Sequence, residues 1–133
     1  MKENEKAKSR TCGGKISYGE LFNAHPRTEL VAICDTDREA LEKGKQAFGL
    51  KSFQGFQDFC DFLKTDLEIV IVGTSIPFHA EQSIKALESG KHVLSEVNAA
   101  DTMNDTKKLL PLIFKEFVKT KDFTLKTEKR SCL

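Results

Sequence analysis

An aspartate closes an apolar run in the first third of the sequence. Residues 29–35 have the sequence ELVAICD, so the run ends at Asp35. A short apolar run of this kind is typical of a strand that helices cover on both faces. A carboxylate at the end of such a strand can accept hydrogen bonds from an adenosine ribose, and it disfavours a 2'-phosphate by charge repulsion. Asp35 is therefore a candidate nucleotide-binding residue, with capping of the next helix as the alternative role.

A glycine pair near the start of the chain is the second candidate site. The segment from Cys12 to Ser17 reads CGGKIS, with Gly13 and Gly14 at its centre. It matches the phosphate-binding pattern G-x-G-x-x-G only if cysteine replaces the first glycine and serine the last. Glycines allow backbone amides to approach a pyrophosphate closely where a helix begins. The pair predicts either a phosphate loop or a flexible connection.

Apolar segments predict the strands that would position these residues. They are residues 29–35, 67–72 (LEIVIV) and 92–94 (HVL), with a shorter strand at 51–53. Periodic patterns predict helices between them: one capped by Thr36, one that carries Phe59 and Cys60, and one over residues 79–89. This alternation favours parallel strands with ligands at their carboxyl ends. The predicted fold is α/β, a Rossmann-like doubly wound parallel sheet in three layers.

Length and composition limit the classes of function. The 133 residues suffice for about one domain, and 39% hydrophobic with 31% charged residues fit a globular protein. A formal net charge of +1 offers no general attraction for nucleic acid or an anionic membrane. The longest apolar run, residues 67–73, is far shorter than the roughly 20 residues of a membrane helix. We expect a cytoplasmic protein without nucleic-acid or membrane partners.

The cysteines and histidines do not predict a metal site. Four cysteines lie in separate contexts, without a C-x-x-C pair or a histidine at zinc-ligand spacing. Cys34 and Cys60 are expected to be buried packing residues. His92 is expected at a buried strand start, and His25 in a loop.

The two ends of the chain carry weaker signals. Residues 1–12 are polar without periodicity, which predicts a mobile tail where a first strand belongs. A helix capped by Asp101 or Thr102 is expected to stop at Pro111, and residues 119–133 predict a basic disordered tail. The domain would then span residues 13–118, with its first strand degenerate or missing. A missing strand would leave an exposed sheet edge for a second copy or a partner domain to cover.

Two longer segments carry a family resemblance. They are HPRTELVAICDTDREALEKGKQAFG and VGTSIPFHAEQSIKALESGKHVLSEV. Their order and spacing resemble the Gfo/Idh/MocA family of NAD(P)-dependent oxidoreductases, over about residues 13–110. The resemblance implies a two-domain enzyme whose N-terminal domain binds the dinucleotide and which acts on a sugar, an inositol or a related polyol or keto compound.

The resemblance also assigns roles to individual residues. Asp35 would hold the adenosine ribose, so NAD is expected as cofactor, while Arg38 leaves room for NADP. Thr74 and His79 would border the cofactor near its phosphates and nicotinamide. The full set of expected cofactor-binding residues is Gly13, Gly14, Ser17, Asp35, Thr74, Ser75, His79 and Glu96.

The sequence departs from the family in places that matter for catalysis. Where the family has Thr-Pro-Asn, this chain has Thr74, Ser75 and Ile76, and where it has Glu-Lys-Pro, this chain has Glu96, Val97 and Asn98. Valine cannot transfer a proton, so no catalytic residue is assigned. The family's C-terminal substrate domain is also absent from these residues. We expect a chain that does not complete a catalytic cycle by itself.

Two other interpretations use the same fold class. A phosphoacceptor receiver domain would need a strand-end aspartate within residues 51–57 and a lysine ending a strand, whereas Lys91 precedes one. A non-catalytic Rossmann-like remnant, acting as a structural or interaction module, is the main alternative. Cofactor affinity separates it from the oxidoreductase interpretation.

Overall fold

Strands and helices alternate along the chain. The computed structural model describes the backbone of residues 7–12, 16–48 and 54–130, and the side chains of residues 19–48 and 54–116. Within these ranges the strands are β1 (Ala7–Cys12), β2 (Thr28–Cys34), β3 (Gln54–Phe56), β4 (Ile69–Val72) and β5 (His92–Ser95). The helices are α1 (Ile16–Ala24), α2 (Arg38–Phe48), α3 (Phe59–Leu63), α4 (Ile76–Glu88) and α5 (Met103–Arg130).

The strands form one parallel sheet in the order β3-β2-β1-β4-β5. The chain builds outward from β1 through β2 to β3, and then returns to the other side of β1 for β4 and β5. Because every strand is parallel, the loops after their carboxyl ends lie along one edge of the sheet. Open α/β sheets bind ligands at this edge, where the strand order reverses. The α/β Rossmann-like prediction is confirmed.

The expectation of a mobile tail in place of the first strand is wrong for residues 7–12. β1 has the polar sequence AKSRTC, yet it pairs with both β2 and β4 at the centre of the sheet. Strand pairing uses backbone groups, and the buried strands β2 and β4 need a paired strand between them to satisfy their backbone donors and acceptors. This requirement outweighs the low β-propensity of the residue types in 7–12. The exposed edge predicted from a missing strand is therefore filled, and the partner predicted to cover it loses this structural basis.

Helices cover both faces of the sheet. Ala32 and Ile33 are consecutive in β2 but belong to different hydrophobic clusters, and consecutive strand residues point to opposite faces. Ile33 lies with Leu41 and Phe48 of α2. The other cluster joins β2 and β4 to α3 and α4 through Ala32, Cys34, Phe62, Leu63, Leu67, Val70, Val72 and Ala86. The strands that position the candidate site are therefore packed against hydrophobic clusters on both faces of the sheet.

Capping residues fix where the helices begin. Asp37 Oδ1 accepts the amide of Glu39 at 2.8 Å, so Asp37 caps α2 and the prediction of Thr36 as the cap is wrong. Asp58 Oδ1 caps α3 by accepting the amide of Asp61 at 2.9 Å. Thr102 exchanges hydrogen bonds with Asp105 and caps α5, as one of the two predicted capping residues.

The last helix runs further than the sequence predicts. α5 continues through Pro111 and ends at Arg130, so neither the stop at Pro111 nor a disordered tail from residue 119 is correct as far as residue 130. Leu109 is buried just before the proline, and α5 packs against α4. This packing, with the high helix propensity of the Lys, Leu and Glu residues that follow, outweighs one lost backbone hydrogen bond.

Two smaller expectations are wrong, and a third concerns residues that the structure does not describe. Cys60 is exposed rather than buried, whereas Cys34 is buried as predicted. His92 is exposed at the start of β5. The short strand predicted at residues 51–53 lies outside the described residues, and β3 begins at Gln54.

Substitution of two glycines in helices can test the packing beside β2. A Cβ on Gly19 would lie 2.4 Å from Cζ of the buried Phe48 ring, and a Cβ on Gly44 would lie 2.8 Å from Cδ1 of Ile33. We expect Gly19→Ala to lower the free energy of unfolding by about 1–3 kcal/mol, because a packed ring must move. Gly44→Ala should change it by less than about 1 kcal/mol, since a flexible side chain can shift and alanine favours a helix. Urea unfolding followed by circular dichroism measures both, and equal stabilities would contradict the packing described.

Candidate functional site

A cleft of about 610 Å³ opens at the carboxyl ends of β2, β3 and β4. Three loops contribute to it: the one after β2, the one between β3 and α3, and the one between β4 and α4. The lining residues are Cys34, Asp35, Thr36, Gln57, Asp58, Phe59, Gly73, Thr74, Ser75, Phe78 and Gln82. Among the side chains that the structure describes, none from lysine or arginine lines this cleft.

Asp35 lies half-buried in the cleft wall, directly after β2. Its backbone amide donates to Phe56 O at 3.0 Å, which continues the β2–β3 pairing by one residue. Its Oδ1 accepts the amide of Asp37 at 2.9 Å. Because Asp37 caps α2, the alternative role of Asp35 as the helix cap falls to its neighbour. The turn leaves Asp35 Oδ2 without a hydrogen bond to any described residue.

The β3–α3 loop supplies the opposite wall. Gln57 Nε2 donates to Thr36 O at 3.1 Å and ties this loop to the one after β2. Phe59 stacks on Phe62 with ring centroids 5.8 Å apart, and Phe62 is fully buried. Helical spacing in the sequence does not distinguish a core ring from one that also faces a cleft. These residues were missed as site residues.

The β4–α4 loop places both predicted residues, Thr74 and Ser75, in the cleft. Ser75 is the N-cap position of α4 and makes no capping hydrogen bond through its side chain. Thr74 Oγ1 donates to Gln82 Oε1 at 2.6 Å. Ser75, Phe78 and Gln82 are three and four residues apart, so they line the cleft from one face of the helix. The sequence did not single out Phe78 or Gln82.

His79 lies behind the cleft rather than in its lining. The side chain is 1% exposed, with Nε2 2.6 Å from Thr74 O and Nδ1 2.8 Å from Asn98 O. It therefore joins the β4–α4 loop to the loop after β5. Through this contact His79 holds the backbone of Thr74, which lines the cleft.

The remaining predicted residues lie apart from this cleft or cannot be placed. Glu96 is half-buried after β5, its amide donates to Val72 O at 2.9 Å, and it is not among the lining residues. Val97 beside it is 88% exposed. Gly13 and Gly14 lie outside the described residues, and only the backbone of Ser17 is described, in α1.

Two other kinds of site have no candidate among the described residues. No helix in this part of the chain is long and apolar enough to cross a membrane. No group of three or more His, Cys, Asp or Glu side chains there could hold a metal ion.

The joining role of His79 can be tested by removing its hydrogen bonds. We expect His79→Leu to lower the free energy of unfolding by about 2 kcal/mol, because the buried ring loses its N–H hydrogen bond to a backbone carbonyl and the second polar contact with the neighbouring loop. His92→Leu is the matched control: this histidine is exposed, and we expect a change within about 0.5 kcal/mol. Urea unfolding of both variants gives the comparison, and equal stability would contradict the role described.

Known proteins are similar to this chain in sequence and in fold. The Gfo/Idh/MocA model, which represents an oxidoreductase family with an NAD-binding Rossmann fold, matches residues 12–119. A glycosyl hydrolase family 109 protein of Shewanella pealeana is 34% identical over 109 residues, which is 69% of this chain and 24% of the relative. The WlbA dehydrogenase of Bordetella pertussis, solved in complex with NADH and UDP-GlcNAcA, is 29% identical, with a TM-score of 0.73 over 84% of this chain and 33% of that one.

A myo-inositol 2-dehydrogenase of Lactobacillus plantarum shares the fold at 22% identity, with a TM-score of 0.74 over 82% of this chain and 33% of that one. The chain spans about a quarter of the length of the first curated relative. The family match covers most of the sequence and all of the sheet from β2 to β5. The chain therefore belongs to the Gfo/Idh/MocA oxidoreductase family and contains its NAD-binding Rossmann fold.

Proposed function

We propose that this domain binds NAD with the adenosine half in the cleft beside Asp35. The observation that carries the proposal is the Asp35 carboxylate, which lies directly after β2 and whose Oδ2 makes no hydrogen bond to a described residue. A ribose offers two hydroxyl donors to such an oxygen. The cleft volume of about 610 Å³ and the aromatic rings in its wall fit a nucleoside.

The same cleft favours NAD over NADP. A 2'-phosphate would meet the Asp35 carboxylate, and no lysine or arginine among the described lining residues would offset the repulsion. Arg38, which left room for NADP in the sequence, is exposed and is not among these lining residues. Charge repulsion in a half-buried wall is less screened than at an open surface, so the discrimination should be measurable.

As the larger activity, we propose an oxidoreductase that acts on a sugar, an inositol or a related polyol or keto compound. The WlbA complex with UDP-GlcNAcA and the myo-inositol 2-dehydrogenase support this substrate class. Bound NAD would supply the hydride acceptor. The described residues contribute binding and orientation: Asp35 holds the ribose, while His79 positions the Thr74 loop.

We further propose that these 133 residues do not carry out the reaction alone. Val97 stands where the family resemblance places a proton-transferring lysine, and its side chain has no ionisable group. The acid or base for proton transfer would then come from residues outside these 133. It predicts a chain that binds cofactor without turning over substrate.

Calorimetric titration of NAD and NADP into the folded chain tests the cofactor site. We expect Asp35→Ala to weaken NAD binding by about tenfold or more, which corresponds to about 1.4 kcal/mol or more. NADP binding should be unchanged or tighter in this variant, because the repulsion is removed. Glu42→Ala, which removes an exposed carboxylate from α2, is the control and should bind both dinucleotides as the wild type does. A folded wild-type chain that binds neither dinucleotide would contradict the proposal and favour a structural module.

A further inference from the structure

The amide of Gln82 is held in one orientation at the cleft wall. Its Oε1 accepts the Thr74 hydroxyl at 2.6 Å, and the pair is partly buried. A glutamine side chain carries one carbonyl oxygen and an NH₂ group with two donor hydrogens. Because Thr74 engages the oxygen, the NH₂ group is the end left for other partners. Among the described residues, Gln82 Nε2 donates to no acceptor.

The surroundings of this amide are aromatic. Phe78, four residues earlier on the same face of α4, is 55% exposed although it lines the cleft. Phe59 lines the cleft from the start of α3, and its stack on the buried Phe62 holds it in place. Exposed aromatic rings favour planar ligands, since base and ring can bury their faces against each other. A fixed hydrogen-bond donor beside such rings suits a planar heterocycle with an acceptor nitrogen.

We infer that Gln82, oriented by Thr74, is a specificity-determining residue that recognises the adenine ring of the dinucleotide. Gln82 Nε2 donates to an unprotonated ring nitrogen of the base, while Phe78 and Phe59 contact the ring. This inference rests on the proposed function, since it requires the adenosine half in this cleft. It adds a base-reading residue to the ribose contact of Asp35 and gives the Thr74 hydroxyl a positioning role.

The inference is tested with NAD and ADP as probes, titrated by calorimetry into the wild-type chain and its variants. Gln82→Met keeps the length of the side chain and removes the donor, so both affinities should fall by about tenfold. Thr74→Val keeps the shape of the threonine and releases the amide, and it should weaken both nucleotides in the same direction. In the Gln82→Met background, Thr74→Val should have no further effect, because the hydroxyl acts through the amide.

The controls separate base recognition from loss of structure. Gln46→Met makes the same substitution at an exposed position of α2 and should bind both nucleotides as the wild type does. Thermal unfolding of each variant checks that it folds. Thr74→Ser, which restores a hydroxyl, should recover the affinity that Thr74→Val loses, whereas a purely structural role for the threonine methyl would not be rescued.

The outcomes distinguish the inference from the proposed function. If Gln82→Met binds NAD and ADP within twofold of the wild type, the cofactor site stands and the role of Gln82 is wrong. If the two substitutions weaken binding additively, Thr74 does not act through Gln82 and the positioning role is wrong. If the folded wild-type chain binds neither nucleotide, the proposed function fails and the inference fails with it.

Discussion

The pairing of β1 with both β2 and β4 is the constraint on which the rest of the structure depends. In the part of the chain that the structure describes, this strand alone links β2 and β3 to β4 and β5 by strand pairing. It sets the register of β2 against β4, and thereby the separation between the loop that carries Asp35 and the loop that carries Thr74. The hydrophobic cluster shared by β2, β4, α3 and α4 then holds this arrangement from one face. The cleft is therefore a product of the central strand, although the described lining residues come from its neighbours.

Around the cleft, hydrogen bonds between side chain and backbone join loops that the sheet alone would leave independent. Gln57 ties the β3–α3 loop to Thr36, and His79 ties the β4–α4 loop to the loop after β5. Each bond is worth about 1 kcal/mol on its own. Their shared effect is geometric, because they reduce the number of loop arrangements that a ligand would otherwise have to select. A preorganised wall lowers the entropy that binding must overcome.

The sequence allowed the two strands beside the centre of the sheet to be predicted better than the central strand itself. β2 and β4 are apolar and β-branched, so their burial is visible in the side chains, and Asp35 follows from where β2 ends. β1 could not be predicted, because AKSRTC carries no apolar pattern and its position is decided by the backbone needs of its neighbours. Asp37 caps α2 in place of the predicted Thr36, and the sequence could not show this, because either side chain has an oxygen that could accept an amide at the start of the helix. Gln82 was missed because a glutamine on an amphipathic helix usually indicates a solvated face, and only the cleft shows otherwise.

Val97 lies where the family resemblance places a lysine, and packing does not restrict which side chain can stand there. Its side chain is 88% exposed, while the flanking backbone is held on one side by Glu96 and Val72 and on the other by Asn98 and His79. A side chain in that situation can change from charged to apolar, or back, without repacking a neighbour. The contacts that hold this loop to the fold are thus made by its backbone, so the identity of the Val97 side chain can change independently of them. A single substitution would be enough to place an ionisable group there without altering the shape of the domain.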